Sequence, residues 1–295
     1  MYVRKNIPVY ELNNIDGYKN KGILVSRFRH YASLNTHLHT SHRHSFYHLV
    51  FFTEGSGSHI IDFKTYEVLP GSIYFMTPGQ VHSWMFASEV DGYIVNFTEE
   101  YFKSFLANPT YLNRFSFFEN FSSERVFLLS DPLSDEIQSV FEEILSQLTS
   151  IDHFADDLVR LLLIEIFIKV ARTIEPAPIT ANTYNYTVLN NFRKLIDENF
   201  RVLQLPRAYA ELLYITPNHL NAMCKDIMGV PAGHLIRERI ILEAKRLLIN
   251  MDLSVQEIAN QLGFKDYSYF IRLFRKNVGQ TPEKFRKTNL DHEHK

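Results

Sequence analysis

The hydrophobic pattern changes its period along the chain, and each change predicts a different kind of element. Residues 1–22 are polar and show no clear period, which leaves an arm and a first edge strand both open. Between 23 and 97 the apolar residues fall in short runs, ILVSRFR, FYHLVFFT, SHIIDF, SIYFMT and YIVNF. β-Branched and aromatic residues dominate these runs, as they do in strands. Glu54-Gly55-Ser56-Gly57, Leu69-Pro70-Gly71 and Thr77-Pro78-Gly79 punctuate them. Pro78-Gly79 suits the central positions of a type II turn, where glycine takes the positive φ. Short strands so closely spaced predict an antiparallel barrel or sandwich. After Thr98 the period becomes helical: a short helix over 99–106 is broken at Asn108-Pro109, and 125–129 reads as a last strand. A helix over 134–148 carries Ile137, Val140, Phe141, Ile144, Leu145 and Leu148 on one stripe, and 156–170 is apolar nearly all round. Residues 172–186, with two prolines and no period, read as a linker.

Beyond the linker the chain is helical to its end. Helices are predicted over 188–200, 207–214, 217–228 and 231–250, the third opened by Thr216 as N-cap with Pro217 behind it and closed by Gly229. In 254–286, Ser254 and Glu257 have the spacing of a capping box, and Ile258, Ala259 and Leu262 form an apolar stripe. Gly263-Phe264 ends that helix. Asp266 then caps another whose inward face is Phe270, Leu273, Phe274 and Val278. Two helices joined by a short glycine-containing turn form a helix-turn-helix, whose second helix is shaped for a DNA major groove. The chain holds two such units joined by one long helix, which predicts entry into successive major grooves about one turn, or ~34 Å, apart.

The polar faces of the two reading helices supply the candidate contacts. In the first, Leu220, Cys224 and Ile227 are expected inside, leaving Asn218, Asn221, Ala222 and Lys225 outside. Asparagine pairs bidentately with adenine, alanine touches a thymine methyl, and lysine suits guanine or phosphate. In the second, Tyr267, Ser268, Ile271, Arg272 and Arg275 are the candidates, while Gly263, Phe264, Tyr269, Phe270 and Phe274 are assigned to the core. Arg272 either forks onto guanine or grips phosphate, and only the first carries sequence information.

The elements A-x-x-x-G-F, Y-F-x-R-x-F-R-K and G-x-x-P-x-x-F-R resemble the signature of the AraC/XylS family of bacterial transcription regulators. They are carried by Ala259, Gly263, Phe264, Tyr269, Phe270, Arg272, Phe274, Arg275, Lys276, Gly279, Pro282, Phe285 and Arg286. Cys224 departs from the family, which more often has a bulky aromatic there; a less tightly packed first unit is expected. The resemblance implies an α+β chain of two domains: a cupin-like antiparallel β-barrel with flanking helices, then an all-α DNA-binding domain. The expected boundaries are 1–130 for the sensing domain, 131–171 for a helical dimerisation region, 172–186 for the linker and 187–295 for the DNA-binding domain. It also implies double-stranded promoter DNA, a small-molecule effector, RNA polymerase if the protein activates, and a homodimer as partners.

Charge agrees once the chain is divided. The net charge of −2 looks wrong for a DNA binder until the chain is split: residues 1–186 hold 14 Lys+Arg against 21 Asp+Glu, a net of −7, and 187–295 hold 17 against 12, a net of +5. A basic half beside an acidic one suits a phosphate-contacting domain joined to one that does not touch DNA. One cysteine, Cys224, and no basic-apolar leader predict a cytoplasmic protein. The most apolar run, 158–170, is interrupted by Arg160, Glu165 and Lys169 and is too short for the ~20 residues of a membrane span.

Histidines are the remaining signal. His37, His39, His42, His44, His48 and His82 lie within the predicted β-region, and period 2 would put His42, His44 and His48 on one face. Their spacing sits where metal-binding cupins place two histidines, a glutamate and a third histidine, with His48 at the glutamate position. His42, His44, His48 and His82 are assigned to effector contact at a barrel mouth, with no cofactor, no metal and no catalytic residue. A metal-binding cupin, sensing or enzymatic, fused to a DNA-binding domain is the alternative, since neutral imidazoles suit zinc, iron, nickel or copper.

Overall fold

A computed structural model of the chain describes residues 7–19, 22–108, 111–118, 125–174, 183–249 and 253–292. The chain divides into two compact units, residues 8–176 and residues 177–295 with the first seven.

The first unit is built from β1 (Val9–Tyr10), β2 (Ile23–Arg27), α1 (Phe28–Leu34), β3 (His42–His44), β4 (Tyr47–Glu54), β5 (Gly57–Ile61), β6 (Lys64–Val68), β7 (Ser72–Met76), β8 (Val81–Phe86), β9 (Asp91–Phe97), α2 (Glu99–Lys103), β10 (Val126–Leu128), α3 (Leu133–Gln147) and α4 (Ala155–Ala171). The strands form two five-stranded sheets, ordered β1-β3-β8-β5-β6 and β10-β7-β4-β9-β2. The barrel expected from strand spacing is thus realised as two facing sheets. Val50, Phe52, Tyr74, Met76 and Ile94 of one share a core with Ile61, Val68 and Trp84 of the other.

The other face of the second sheet, with Leu49, Phe51, Phe75, Tyr93, Val95 and Phe97, packs against Ile137, Phe141, Ile144, Leu163, Ile166 and Phe167 of α3 and α4. A sheet covered on both faces needs apolar residues at every position. That is why FYHLVFFT and SIYFM read as unbroken runs. The apolar stripes of 134–148 and 156–170 are filled by their own sheet. What α4 leaves outside is Leu161 and Ile168, 53% and 39% exposed.

Several boundaries differ from expectation for local reasons. Val9–Tyr10 pairs in parallel with β3, so the N-terminal stretch supplies an edge strand. Phe28 and Arg29, read as the end of a strand, begin α1. Thr77 to Gln80 makes the expected turn, with Gly79 at φ +85° and Gln80 N–H donating to the Thr77 carbonyl, and it delivers the chain into β8.

The second unit runs α5 (Thr183–Asn199), α6 (Pro206–Leu212), α7 (Pro217–Met228), α8 (Ala232–Leu248), α9 (Val255–Gln261), α10 (Tyr267–Val278) and α11 (Pro282–His292). α5 begins five residues earlier than expected, so 183–186 are helical; 175–182 of the expected linker lie outside the described residues. α8 packs on α7 and also on α9 and α11, making it the common spine of both helix-turn-helix units. A buried ion cluster fastens α5 to it: Arg239 Nε reaches Asp197 Oδ1 at 2.7 Å, and Arg239 Nη1 and Arg201 Nη2 reach Glu243 at 3.1 and 3.0 Å. Burial would raise the Glu243 carboxyl, but Arg239, Arg246 and Arg201 hold it below the ordinary glutamate range.

Candidate nucleic-acid interface and histidine cluster

Both reading helices are fixed at each end by the residues that the sequence marks. Thr216 Oγ1 accepts from His219 N–H at 3.1 Å, and Gly229 ends α7 at φ +70°. The box before α9 is formed, with Ser254 N–H donating to Glu257 Oε2 at 2.7 Å and Glu257 N–H to Ser254 Oγ at 3.2 Å. Asp266 Oδ1 accepts from Ser268 and Tyr269 N–H at 2.8 and 3.2 Å, and Gly279 closes α10 at φ +81°. Arg286 of the signature holds the frame rather than facing outward: its guanidinium donates to the Leu248 and Leu253 carbonyls at 3.0 and 2.6 Å.

The apolar faces point inward. Leu220, Met223 and Cys224 are buried in α7, with Ile227 half-buried; Phe270, Leu273 and Phe274 are buried in α10. Asn218, Ala222, Lys225, Tyr267, Ser268, Arg272 and Arg275 are exposed. Asn221 and Ile271 are half-buried. Asn221 Oδ1 accepts from Ala232 N–H at 3.1 Å, so it caps α8 and its carbonyl edge is taken. Bidentate recognition of adenine needs both ends of that amide. Tyr269 corrects the core assignment, because its side chain is 50% exposed beside Arg272, Arg275 and Lys276. Arg272 Nη2 rests 3.6 Å from Asp266 Oδ2 with both groups in solvent, a contact too weak to hold the guanidinium back from DNA.

The four candidate histidines come together, although not at an open mouth. They are enclosed between the sheets, with His42 and His48 0% exposed, His82 1% and His44 2%. Register explains the convergence. His42 pairs directly with His82 across β3 and β8, and His44 lies on the same face two residues on. Ring centroids are 4.2 Å apart for His42–His82, 4.7 Å for His42–His44 and His44–His82, and 5.2 Å for His48–His82. His59 of β5 is a fifth member that the sequence reading missed, with Nε2 3.0 Å from His82 Nδ1. Only its alternation with Ile61, the cross-strand partner of His82, could have pointed to it.

Hydrogen bonds fix two of the tautomers. His42 Nδ1 lies 2.7 Å from the Thr40 carbonyl and His48 Nδ1 lies 2.6 Å from Asn96 Oδ1, so both rings donate from Nδ1 and keep a lone pair on Nε2. Burial drives His48 down to about 3 against the bond it donates to Asn96, with His42 pushing the same way as burial. Burial, and then the neighbouring imidazoles, hold His44, His59 and His82 well below the ordinary histidine range. Burial thus favours the uncharged form of His44, His48, His59 and His82. His44 Nδ1 and Nε2, His48 Nε2, His82 Nε2 and Trp84 Nε1 have no hydrogen-bond partner among the described residues.

Two family models match this chain. One, described as a helix-turn-helix domain, covers residues 209–288; the other, an AraC-like ligand binding domain, covers residues 24–167. The HTH-type transcriptional activator RhaR of Enterobacter sp. (strain 638) is 20% identical over 275 residues, 93% of this chain and 95% of its own length. The uncharacterized HTH-type transcriptional regulator YijO of Escherichia coli (strain K12) is 34% identical over 95 residues, 32% of this chain and 34% of YijO. Among solved structures, ToxT from Vibrio cholerae O395 aligns with a TM-score of 0.44 and 15% identity, covering 90% of this chain and 98% of that one. With a ligand-binding domain matched ahead of a helix-turn-helix domain and regulators as relatives, the chain belongs to the AraC/XylS family of transcription regulators.

Proposed function

We propose that this protein is a sequence-specific DNA-binding transcription regulator whose β-domain receives a small-molecule effector. The observation that carries the reading is the pair α7 and α10. Each is capped at its start, closed by a left-handed glycine and locked by its apolar face, with polar side chains turned outward. Asn218, Ala222 and Lys225 form the contact set of the first unit, and Tyr267, Ser268, Arg272 and Arg275 that of the second, with Tyr269 added. Asn221 and Ile271 position these helices.

The effector acts at His42, His44, His48 and His82, shifting a pre-existing equilibrium by no more than its differential affinity for the two states. The protein works as a homodimer on paired sites in the cytoplasm, with Leu161 and Ile168 of α4 available to the second copy, and meets RNA polymerase where it activates. It binds and releases, and turns over no substrate. No helix among the described residues is long and apolar enough to cross a membrane.

Arg272→Ala tests the contact set. Forking onto guanine is worth roughly 1–3 kcal/mol of discrimination, so the variant should relax specificity at one base position of the preferred site. Equal weakening on every sequence would mark Arg272 as a phosphate contact instead.

A further inference from the structure

We infer that His42, His44 and His82 form a binding site for a divalent first-row transition-metal ion, with His48 beside it as a fourth nitrogen. The inference names the occupant of the site that the proposed function gives to the effector, and takes its regulatory meaning from that reading.

Geometry carries it first. Each of the three rings offers a nitrogen, and these atoms all lie within 4.8 Å of one another. Nitrogens bound to one zinc at 2.0–2.1 Å stand about 3.3 Å apart in a tetrahedron, so small ring rotations close the set. Cross-strand pairing of His42 with His82 fixes two of the ligands on the backbone rather than on a loop.

Proton placement carries it further. His42 and His48 spend their Nδ1 protons on the Thr40 carbonyl and Asn96 Oδ1. An outer hydrogen bond of this kind orients a metal-binding imidazole and raises its basicity. Each of these two rings then keeps a lone pair on Nε2, which suits a Lewis acid better than a carboxylate or phosphate effector.

Burial narrows the size of the occupant. At 0–2% exposure the three rings present little surface to solvent, and an ion needs no more than its coordination sphere. A set of imidazoles without a carboxylate or thiolate favours zinc, cobalt, nickel, copper or ferrous iron over magnesium and calcium.

The test uses the untagged full chain, freed of metal with a chelator and titrated with cobalt(II) chloride. One cobalt per chain with the visible absorption of a tetrahedral nitrogen-ligated ion is expected, displaced by zinc. The variants His42→Ala and His82→Ala should abolish that spectrum, while His219→Ala and His234→Ala, on the helical unit, should keep it. X-ray absorption of the zinc-loaded wild type serves as a check independent of variant folding, with imidazole nitrogens expected at about 2.0–2.1 Å. An aquo-like spectrum, or binding unaltered by the His42 and His82 variants, would overturn the site and leave water as the occupant. DNA binding with and without zinc separates the two claims. Stoichiometric metal with unchanged DNA affinity upholds the site and removes its regulatory role. No metal, together with an organic metabolite that raises thermal stability, overturns the site and leaves the effector reading intact.

Discussion

At the scale of the residue, the buried histidines give the β-domain its sharpest pH dependence. His44, His48, His59 and His82 all have folded-state values below the 6.5 of a free histidine. The unfolded chain takes up protons near that pH, and the folded domain does not. Stability from their neutral burial is therefore whole above about pH 6.5 and falls below it, by about 1.4 kcal/mol per pH unit for each histidine. With chelator present, the urea midpoint of the β-domain should drop as pH falls from about 6.5 to 5.5 and hold steady above about 7.5; a midpoint insensitive to that acid step would contradict the lowered values of these buried rings. The pairing of His42 with His44 on one face was visible in the sequence because strand period is fixed at 2, whereas His48 stands on β4 of the other sheet and faces them across the core, not along one strand. His59 was not visible, since it stands alone in SHIIDF and joins the others only through the pairing of β5 with β8. Tyr269 and Asn221 show the opposite limit. A helical period places an aromatic or an amide on a face, but not whether its edge is already used by a neighbouring helix.

At the scale of the element, the turn between α9 and α10 shows why a signature glycine is required. Gly263 sits at φ +80°, and a Cβ there would stand 2.0 Å from the Arg201 carbonyl oxygen. Gly229 and Gly279, at similar φ, have open space around them. Gly229→Ala should thus cost only the left-handed conformation, roughly 1–2 kcal/mol. Gly263→Ala adds an overlap with backbone that cannot move aside, and should lower the thermal midpoint of the helical unit well beyond that; similar losses for the two variants would refute the close approach. The same contact braces the two helix-turn-helix units, since Gln204 Nε2 donates to the Leu262 carbonyl at 2.7 Å from the loop that holds Arg201. Glu243 is the other brace. Glu243→Ala leaves Arg239 buried with half its partners gone and should destabilise the unit by about 3–5 kcal/mol, read from denaturant unfolding; a loss under 1 kcal/mol would show that the cluster is solvated and weak. Caps and stops of these helices were legible because Thr216, Ser254, Asp266 and the glycines act locally. β6 stood outside the predicted runs because KTYEV has few apolar residues, although it pairs with neighbouring β5; β3 and β8 stood outside them although VHSWMF is largely apolar, and they pair with each other through His42 and His82.

At the scale of the whole molecule, the division of labour follows the division of charge. The acidic part folds as paired sheets around a buried histidine cluster, and the basic part as two helix-turn-helix units on a shared spine. Both faces of the β10-β7-β4-β9-β2 sheet are covered by the same chain, so the homodimer proposed above would draw on the outer residues of α4, not on its main stripe. Leu161→Asp with Ile168→Asp should therefore give a monomer with the β-domain still folded, seen by sedimentation; an unchanged oligomeric state would place the contact elsewhere. Domain order was legible from the shift of period alone, whereas the facing of the sheets depended on side chains that meet only in three dimensions.

The central claim is that α7 and α10 read DNA together. Selection of the full chain against a random duplex library, followed by sequencing of the bound pool, tests it most directly. Enrichment of a bipartite motif with two elements about 10–10.5 bp apart is predicted. A pool with a single element, or one indistinguishable from the starting library, would contradict it.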